Sequence, residues 1–337
     1  MISEPCGAAN VQRDMVLRSA AHKLTNQTSS EGEPAPAVWI VILNWNRPHD
    51  TIQCVSSLRR SDYPLYRILI VDNGSTDESV AIFQELPDVE LLVNDRNLGF
   101  AAGNNRGIEY ALEHGADYIL LLNNDTTVSP SMLSTLVKAA KTDRWIGVVG
   151  PVIYYADRPT DVWFAGMRFH YGLYTVRKGL HLTPPLAPIE EVDFISGCGM
   201  LVRREVWECI GLFDPRFFMY YEDLDFCVRA KKAGYRIVCA TQARMWHTLS
   251  ASTGGPDSPL KQYYQVKSTF LFCAKHTQGL QRLVNIAVRL GHAGFVVTQQ
   301  VTRGHSHWEA IRLYLKGIVE ALGTTCSERP SEEESNS

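Results

Sequence analysis

Five short stretches of this 337-residue chain hold side chains that could do chemistry together. Asn123-Asn124-Asp125 follows the apolar run Tyr118–Leu122. A carboxylate delivered at the end of a strand can hold Mg²⁺ or Mn²⁺, hard ions that prefer oxygen and bridge diphosphate oxygens. The same Asp could instead close an Asx-type turn. Tyr220-Tyr221-Glu222-Asp223-Leu224-Asp225 crowds three acids into the first turn of a predicted helix. They either complement the positive helix end, or one of them, flanked by aromatics, is held ready as a general base. Trp246-His247 offers a neutral imidazole as a further metal ligand, although ten histidines in the chain dilute that signal. Asp72-Asn73-Gly74-Ser75-Thr76-Asp77 is either a plain turn and helix cap or a base-reading loop, with Asp72 accepting the N3–H of a pyrimidine. Asn97, Gly99 and Gly103-Asn104-Asn105 either let a helix pack close to a sheet or line a nucleotide site.

The elements that must position these residues alternate along the chain. Val38–Leu43 is a fully apolar run, as expected of a strand covered on both faces, and Ile52, Val55 and Leu58 then recur at helical spacing. Tyr66–Val71 is a second strand, and Ser75 with Glu78 forms a capping-box pattern that predicts a helix start there. Val89–Val93 is a third strand, and a helix after Gly99 ends at His114-Gly115. Tyr118–Leu122 and Ile146–Pro151 are further strands, with a helix opened by Ser129-Pro130 between them. Such alternation predicts right-handed βαβ units, and each polar cluster of this half lies at the carboxyl end of a strand, where open α/β sheets bind ligands. Beyond it, Asp193–Arg203 reads as strand–turn–strand, Glu222–Ala233 as a helix closed by Gly234, and Arg236–Ala240 as a strand. Helices follow from Pro259 to Leu322. In Leu280–Val301 and Trp308–Leu322, apolar residues interleave with Arg282, Arg289, Arg303, Arg312 and Lys316. That pattern is a packed helix pair or, alternatively, a peripheral membrane contact against anionic lipid.

Composition narrows the field. Hydrophobic residues at 45% and charged residues at 20% exclude wholesale disorder and fibrous chains. A balance of 33 Lys+Arg against 36 Asp+Glu argues against a nucleic-acid partner, which would need a cationic field. Eight cysteines stand singly with no C-x-x-C pair, which favours a reducing compartment. The N-terminus does not read as a signal peptide, and no apolar run reaches the about 18 residues of a membrane span. A cytoplasmic protein, peripheral at the inner face of the membrane in the second reading of its C-terminal helices, is expected. The expected organisation is a disordered extension at 1–36, a main domain at 37–255 divided at 150/151, a helical region at 256–325 and a disordered tail at 326–337.

In order and spacing, Asn44-Trp45-Asn46, Val71–Asp77, Asn97–Asn104, Leu122–Asp125, Gly197–Arg204, Phe213-Asp214 and Glu222–Arg229 together resemble glycosyltransferase family 2, most of all its bacterial rhamnosyltransferase-like branch. The likeness runs from Val38 to His247, with a weaker echo at Leu313–Gly323. It implies an α/β fold of GT-A type: a Rossmann-like, mostly parallel sheet flanked by helices, with C-terminal helices added. It also implies inverting transfer from a nucleotide-diphospho-sugar donor to a glycan or lipid-linked saccharide acceptor. Rhamnose on deoxythymidine diphosphate is the first donor to consider and a UDP-hexose the second. Carried over by position, Asp72 contacts the base and Asn44, Asn46, Asn97, Gly99, Asn104 and Asn124 line the nucleotide site. Asn123-Asn124-Asp125 fills an Asp-x-Asp slot whose first acid is Asn123 here, so Mg²⁺ or Mn²⁺ ligation rests on Asp125 with His247. Asp223 aligns with the catalytic base, Glu222 being its neighbour and substitute. The acceptor would be chosen by the loops Asp157–Pro188 and Leu249–Pro259. Two other classes stay open: a nucleotidyltransferase, which would want a glycine-rich loop where Asn44-Trp45-Asn46-Arg47-Pro48 stands, and a non-catalytic sugar-nucleotide sensor.

Overall fold

The computed structural model describes residues 34–170, 175–179, 187–248 and 259–302, together with 312, 315–317, 319 and 320. The expected tail at 326–337, most of the extension at 1–36 and the loop 249–258 lie outside them.

The first half is built from β1 (Val38–Asn44), α1 (Pro48–Leu58), β2 (Tyr66–Asp72), α2 (Ser79–Gln84), β3 (Val89–Val93), α3 (Gly99–Glu113) and β4 (Tyr118–Asn123). β1 pairs in parallel with β2 on one side and β4 on the other, and β2 with β3. The chain thus winds outward from β1 in one direction and then returns to its far side, making a switch in strand order at β1/β4. Val38–Ile42 and Ile119–Leu122 are buried on both faces, which is why these strands read as unbroken apolar runs. Gly115 is left-handed (φ 80°) just past α3, as its position predicted.

The rest of the sheet comes from β5 (Thr126–Val128), β6 (Ile146–Tyr155), β7 (Val162–Phe164), β10 (Ile189–Val192), β11 (Gly199–Arg203) and β12 (Arg236–His247), while β8 (Met167–His170) and β9 (Thr175–Gly179) form a separate hairpin. The main order is β10-β12-β6-β11-β4-β1-β2-β3, with β5 on β12 and β7 on β6. β11 runs antiparallel between β4 and β6, so the sheet is mixed at its centre. Helices α4 (Met132–Lys141), α5 (Arg204–Ile210), α6 (Glu222–Lys232), α7 (Pro259–His276) and α8 (Gly279–Thr302) complete the described elements.

Several expectations change. The capping box at Ser75 does not form: α2 begins only at Ser79, and the Ser75 hydroxyl is spent on Asp72. The helix expected from Ser129-Pro130 starts at Met132. The strand expected to stop at Ala240 continues to His247, so the Trp246-His247 pair is sheet and not the lip of a loop. Five cysteines (Cys54, Cys198, Cys227, Cys239 and Cys273) are buried, and burial pushes the Cys54 thiol up to about 12, so it serves as a small hydrophobe. No helix among the described residues is long and apolar enough to cross a membrane.

Candidate active site

The carboxyl edge at the β1/β4 switch carries a network of short polar side chains. Asp72, at the end of β2, is completely buried. Its Oδ1 accepts the Ser75 N–H (2.9 Å), and its Oδ2 accepts the Asn44 amide (2.8 Å) and the Ser75 hydroxyl (2.7 Å). Three of about four carboxylate acceptor sites are therefore used in shaping the turn. Asn44 in turn accepts from Thr51 (2.8 Å), whose hydroxyl accepts from the buried Asn124 amide (3.1 Å). Asn46 is left-handed (φ 53°), and its side chain holds the turn by accepting the Thr76 N–H at 2.8 Å. Asn97 accepts from Asn73 and from the Gly99 N–H. These residues converge as the spacing suggested. Asn104 differs: it is buried and donates to the Phe100 carbonyl of its own helix (2.9 Å). Thr51 and Ser75 belong to this network although the motifs did not mark them.

Gly99 joins the two halves of the site. It is left-handed (φ 81°), and a Cβ there would lie 2.4 Å from the Phe218 carbonyl oxygen. That same carbonyl accepts the Phe100 N–H at 2.7 Å, so α3 starts directly against the segment leading to α6. Gly99→Ala meets both a backbone clash and a conformation that L residues avoid, and is expected to cost about 2 kcal/mol or more. Urea denaturation checks this; a midpoint equal to that of the unaltered protein would contradict it.

The β5–β12 register pairs Thr126 with His247, which sets Asp125 beside the histidine. Asp125 Oδ1 and His247 Nε2 lie 3.0 Å apart, both side chains being buried. The Thr248 N–H also bonds the Asp125 carbonyl (2.9 Å). His247 Nδ1 is buried without a partner, and the ring meets Trp163 edge-on at 4.9 Å. An oxygen and an imidazole nitrogen converging in this way suit Mn²⁺ or Mg²⁺. Among the described residues no group of three or more His, Cys, Asp or Glu gathers, so such an ion would rely on diphosphate oxygens and water for its remaining ligands.

The turn before β11 ties this pair to the acids of α6. Asn123 donates its N–H to the Cys198 carbonyl (3.0 Å), and Gly197 donates its N–H to Asp223 Oδ2 (2.9 Å). Leu224 N–H donates to Asp223 Oδ1 (2.8 Å). The ends of β4 and α6 therefore meet at one edge. Burial raises the Asp223 carboxyl to about 6, against the lowering effect of its backbone N–H donors. Glu222 is buried with Oε2 unpartnered, and burial together with the neighbouring Asp223 charge drives its pKa well up. Burial favours the neutral form of both carboxyls, while the Gly197 and Leu224 N–H donors favour the ionised form of Asp223.

The backbone that presents them is strained and externally braced. Tyr220 and Tyr221 are both left-handed (φ 68° and 71°), at a cost on the order of 1–2 kcal/mol each. α7 supplies the brace: Ser268 donates to the Met219 carbonyl (2.9 Å), and Tyr264 stacks on Phe218 at 4.7 Å. Lys275 reaches both Asp214 (2.7 Å) and Asp225 (2.8 Å), and His276 bonds Asp225 at 2.7 Å. Burial would raise Asp225, but His276, Arg229 and Lys275 outweigh it and hold its carboxyl below the ordinary range. The third acid of the cluster is therefore a structural anchor. The motifs gave no sign of Lys275 and His276, which lie in another helix.

A family model described as glycosyl transferase family 2 matches residues 39–211. The chain belongs to that family. It is a glycosyltransferase of GT-A fold, and the nucleotidyltransferase and sensor alternatives fall. It is 34% identical over 239 residues to the N-acetylglucosaminyl-diphospho-decaprenol L-rhamnosyltransferase of Mycobacterium tuberculosis, covering 64% of this chain and 76% of that protein. It is 25% identical to the dTDP-rhamnosyl transferase RfbF of Shigella flexneri, covering 74% of this chain and 86% of the relative. Among solved structures, the mannosyltransferase PcManGT of Pyrobaculum calidifontis, in complex with GDP-Man and Mn²⁺, superposes with a TM-score of 0.54 at 14% identity, covering 96% and 98% of the two chains. The family model ends before Glu222, so this glycosyltransferase's acids enter through its own geometry.

Proposed function

We propose that the protein transfers rhamnose, with inversion, from deoxythymidine-diphospho-rhamnose to a hydroxyl of a lipid-linked saccharide in cell-surface polysaccharide assembly, at the inner face of the membrane. The observation that carries the mechanism is the Asp223 carboxyl, raised to about 6 by burial and aimed by two backbone N–H donors, at the edge that holds Asp125 and His247. The relatives' names support the donor and acceptor classes.

Inversion needs an acceptor oxygen to attack the anomeric carbon in line with the departing diphosphate. Asp223 takes the hydroxyl proton as the new C–O bond forms and the anomeric C–O(phosphate) bond breaks, releasing the nucleoside diphosphate. The two backbone N–H donors fix the carboxylate's direction, so little reorganisation accompanies the proton transfer. Asp125 and His247 would hold a divalent ion that offsets the charge developing on the diphosphate. The turn that Asp72 shapes through Asn44 and Ser75 would face the base. Asn44, Asn46, Asn97, Gly99 and Asn124 keep that turn in shape, and Asn104 secures α3 behind it.

A thermal-shift series with dTDP, UDP and GDP, each with and without Mn²⁺, tests this reading, because a ligand bound only by the native state raises its melting temperature. The largest rise is expected for dTDP with Mn²⁺. A larger rise with GDP would overturn the pyrimidine assignment.

A further inference from the structure

Helix α8 is amphipathic in the wrong sense for a helix facing water. Three of its polar residues turn inward: Asn285 is 2% exposed, and Arg282 donates to the carbonyls of Ala274 (2.6 Å) and Thr277 (2.9 Å) at the end of α7. Arg289 is likewise turned in, its Nε bonding Cys273 Sγ at 2.7 Å. Arg282 thereby satisfies helix-terminal carbonyls that would otherwise lack donors. The opposite arc is apolar and open, with Leu280 77% and Leu283 65% exposed and Val284 and Val288 beside them. These four fall at helical spacing on one side, so the patch is continuous and not a scatter of single side chains.

A second exposed apolar face lies nearby on the same support. Gly317 packs against the Tyr263 carbonyl of α7, a Cβ there falling 3.0 Å from it. Leu315 and Val319 point outward, with exposed Arg312 and Lys316 at the same helical spacing. Lys316 lies over the Tyr263 ring at 5.9 Å and forms an ion pair with Glu320 at 3.6 Å, its side chain remaining mostly exposed.

We propose that Leu280, Leu283, Val284 and Val288 of α8, with Arg312, Leu315, Lys316 and Val319, form a docking surface for an anionic lipid bilayer. Apolar side chains enter the boundary between headgroups and acyl chains, while Arg312 and Lys316 meet lipid phosphates. A bilayer fits better than a second copy of the chain because cations flank the apolar residues, and two like surfaces brought together would set cation against cation. Arg282 and Arg289 take no part, in contrast to the interleaved pattern that the sequence presents. The surface does not depend on which sugar is transferred.

Flotation of the full chain with vesicles tests this, comparing phosphatidylcholine alone with an equal mixture of phosphatidylcholine and phosphatidylglycerol. Binding to the mixed vesicles is expected, falling at least about tenfold for the triple variant Leu280→Gln/Leu283→Gln/Val288→Gln. Arg312→Glu/Lys316→Glu is expected to remove the preference for phosphatidylglycerol. The dTDP-induced thermal shift is expected to be the same in all three proteins, which separates loss of docking from failure of the donor assignment and from misfolding. Equal vesicle binding by the triple variant, no binding by the unaltered chain, or a dimer that the triple variant dissociates without any vesicle binding would each overturn the proposal.

Discussion

Replacing Asp223 by asparagine is expected to lower transfer about 10²–10⁴-fold while leaving nucleotide binding intact. The expectation follows from what the carboxylate does and from where it sits. Both oxygens already accept backbone N–H bonds, from Gly197 and Leu224, so the group is aimed and not free to rotate. Asparagine removes the ability to take a proton and also turns one amide NH₂ against a backbone N–H. The dTDP thermal shift separates the two effects, since a lost base leaves it unchanged and a collapsed turn does not. Glu222→Gln should be far milder, because burial favours the neutral form of this side chain and glutamine copies that form. Undiminished turnover by Asp223→Asn would take the residue out of the base role.

Removal of the divalent ion, or Asp125→Asn, is expected to have an effect of similar size. Departure of a nucleoside diphosphate concentrates negative charge, and losing several kcal/mol of stabilisation there lowers the rate on the order of 10²–10³-fold. Among the described residues, only the Asp125 oxygen and the His247 nitrogen converge at this point, so little else there can replace them. Transfer measured after exhaustive chelation, then with added Mn²⁺, checks this. Full activity in chelator would show that Asp125 and His247 serve each other and hold no ion. His247→Gln should weaken the Mn²⁺ requirement less than Asp125→Asn, because the carboxylate carries the charge.

Much of this site was legible in the sequence because its parts lie at strand ends. The apolar runs ending in Asn44, Asp72 and Asn123 had to be buried strands, and the polar residues after them had to share one edge. What stayed hidden was set by contacts distant in the chain. Ser75 and Glu78 satisfy a local capping rule, yet the Asp72 carboxylate competes for the Ser75 hydroxyl and wins, being buried and needing donors. β5 has only three residues, too few for an alternation to show, although it sets the Asp125–His247 pair. Lys275 and His276 reach Asp225 from a helix about fifty residues on, and nothing in local spacing announces that brace. Arg282 and Arg289, interleaved with apolar residues in the sequence, fitted a packed helix pair and a lipid-facing helix alike; contacts with the end of α7 draw them inward.

The pH dependence of kcat/KM for transfer tests the central claim most directly, because it reports the ionisation of the unliganded enzyme's base. With Asp223 ionising at about 6 and active only when deprotonated, the rate should fall about tenfold per unit as pH drops below that value and level off above it. A profile that stays flat through the region around 6, or an acid limb that survives unchanged in Asp223→Asn, would contradict the account.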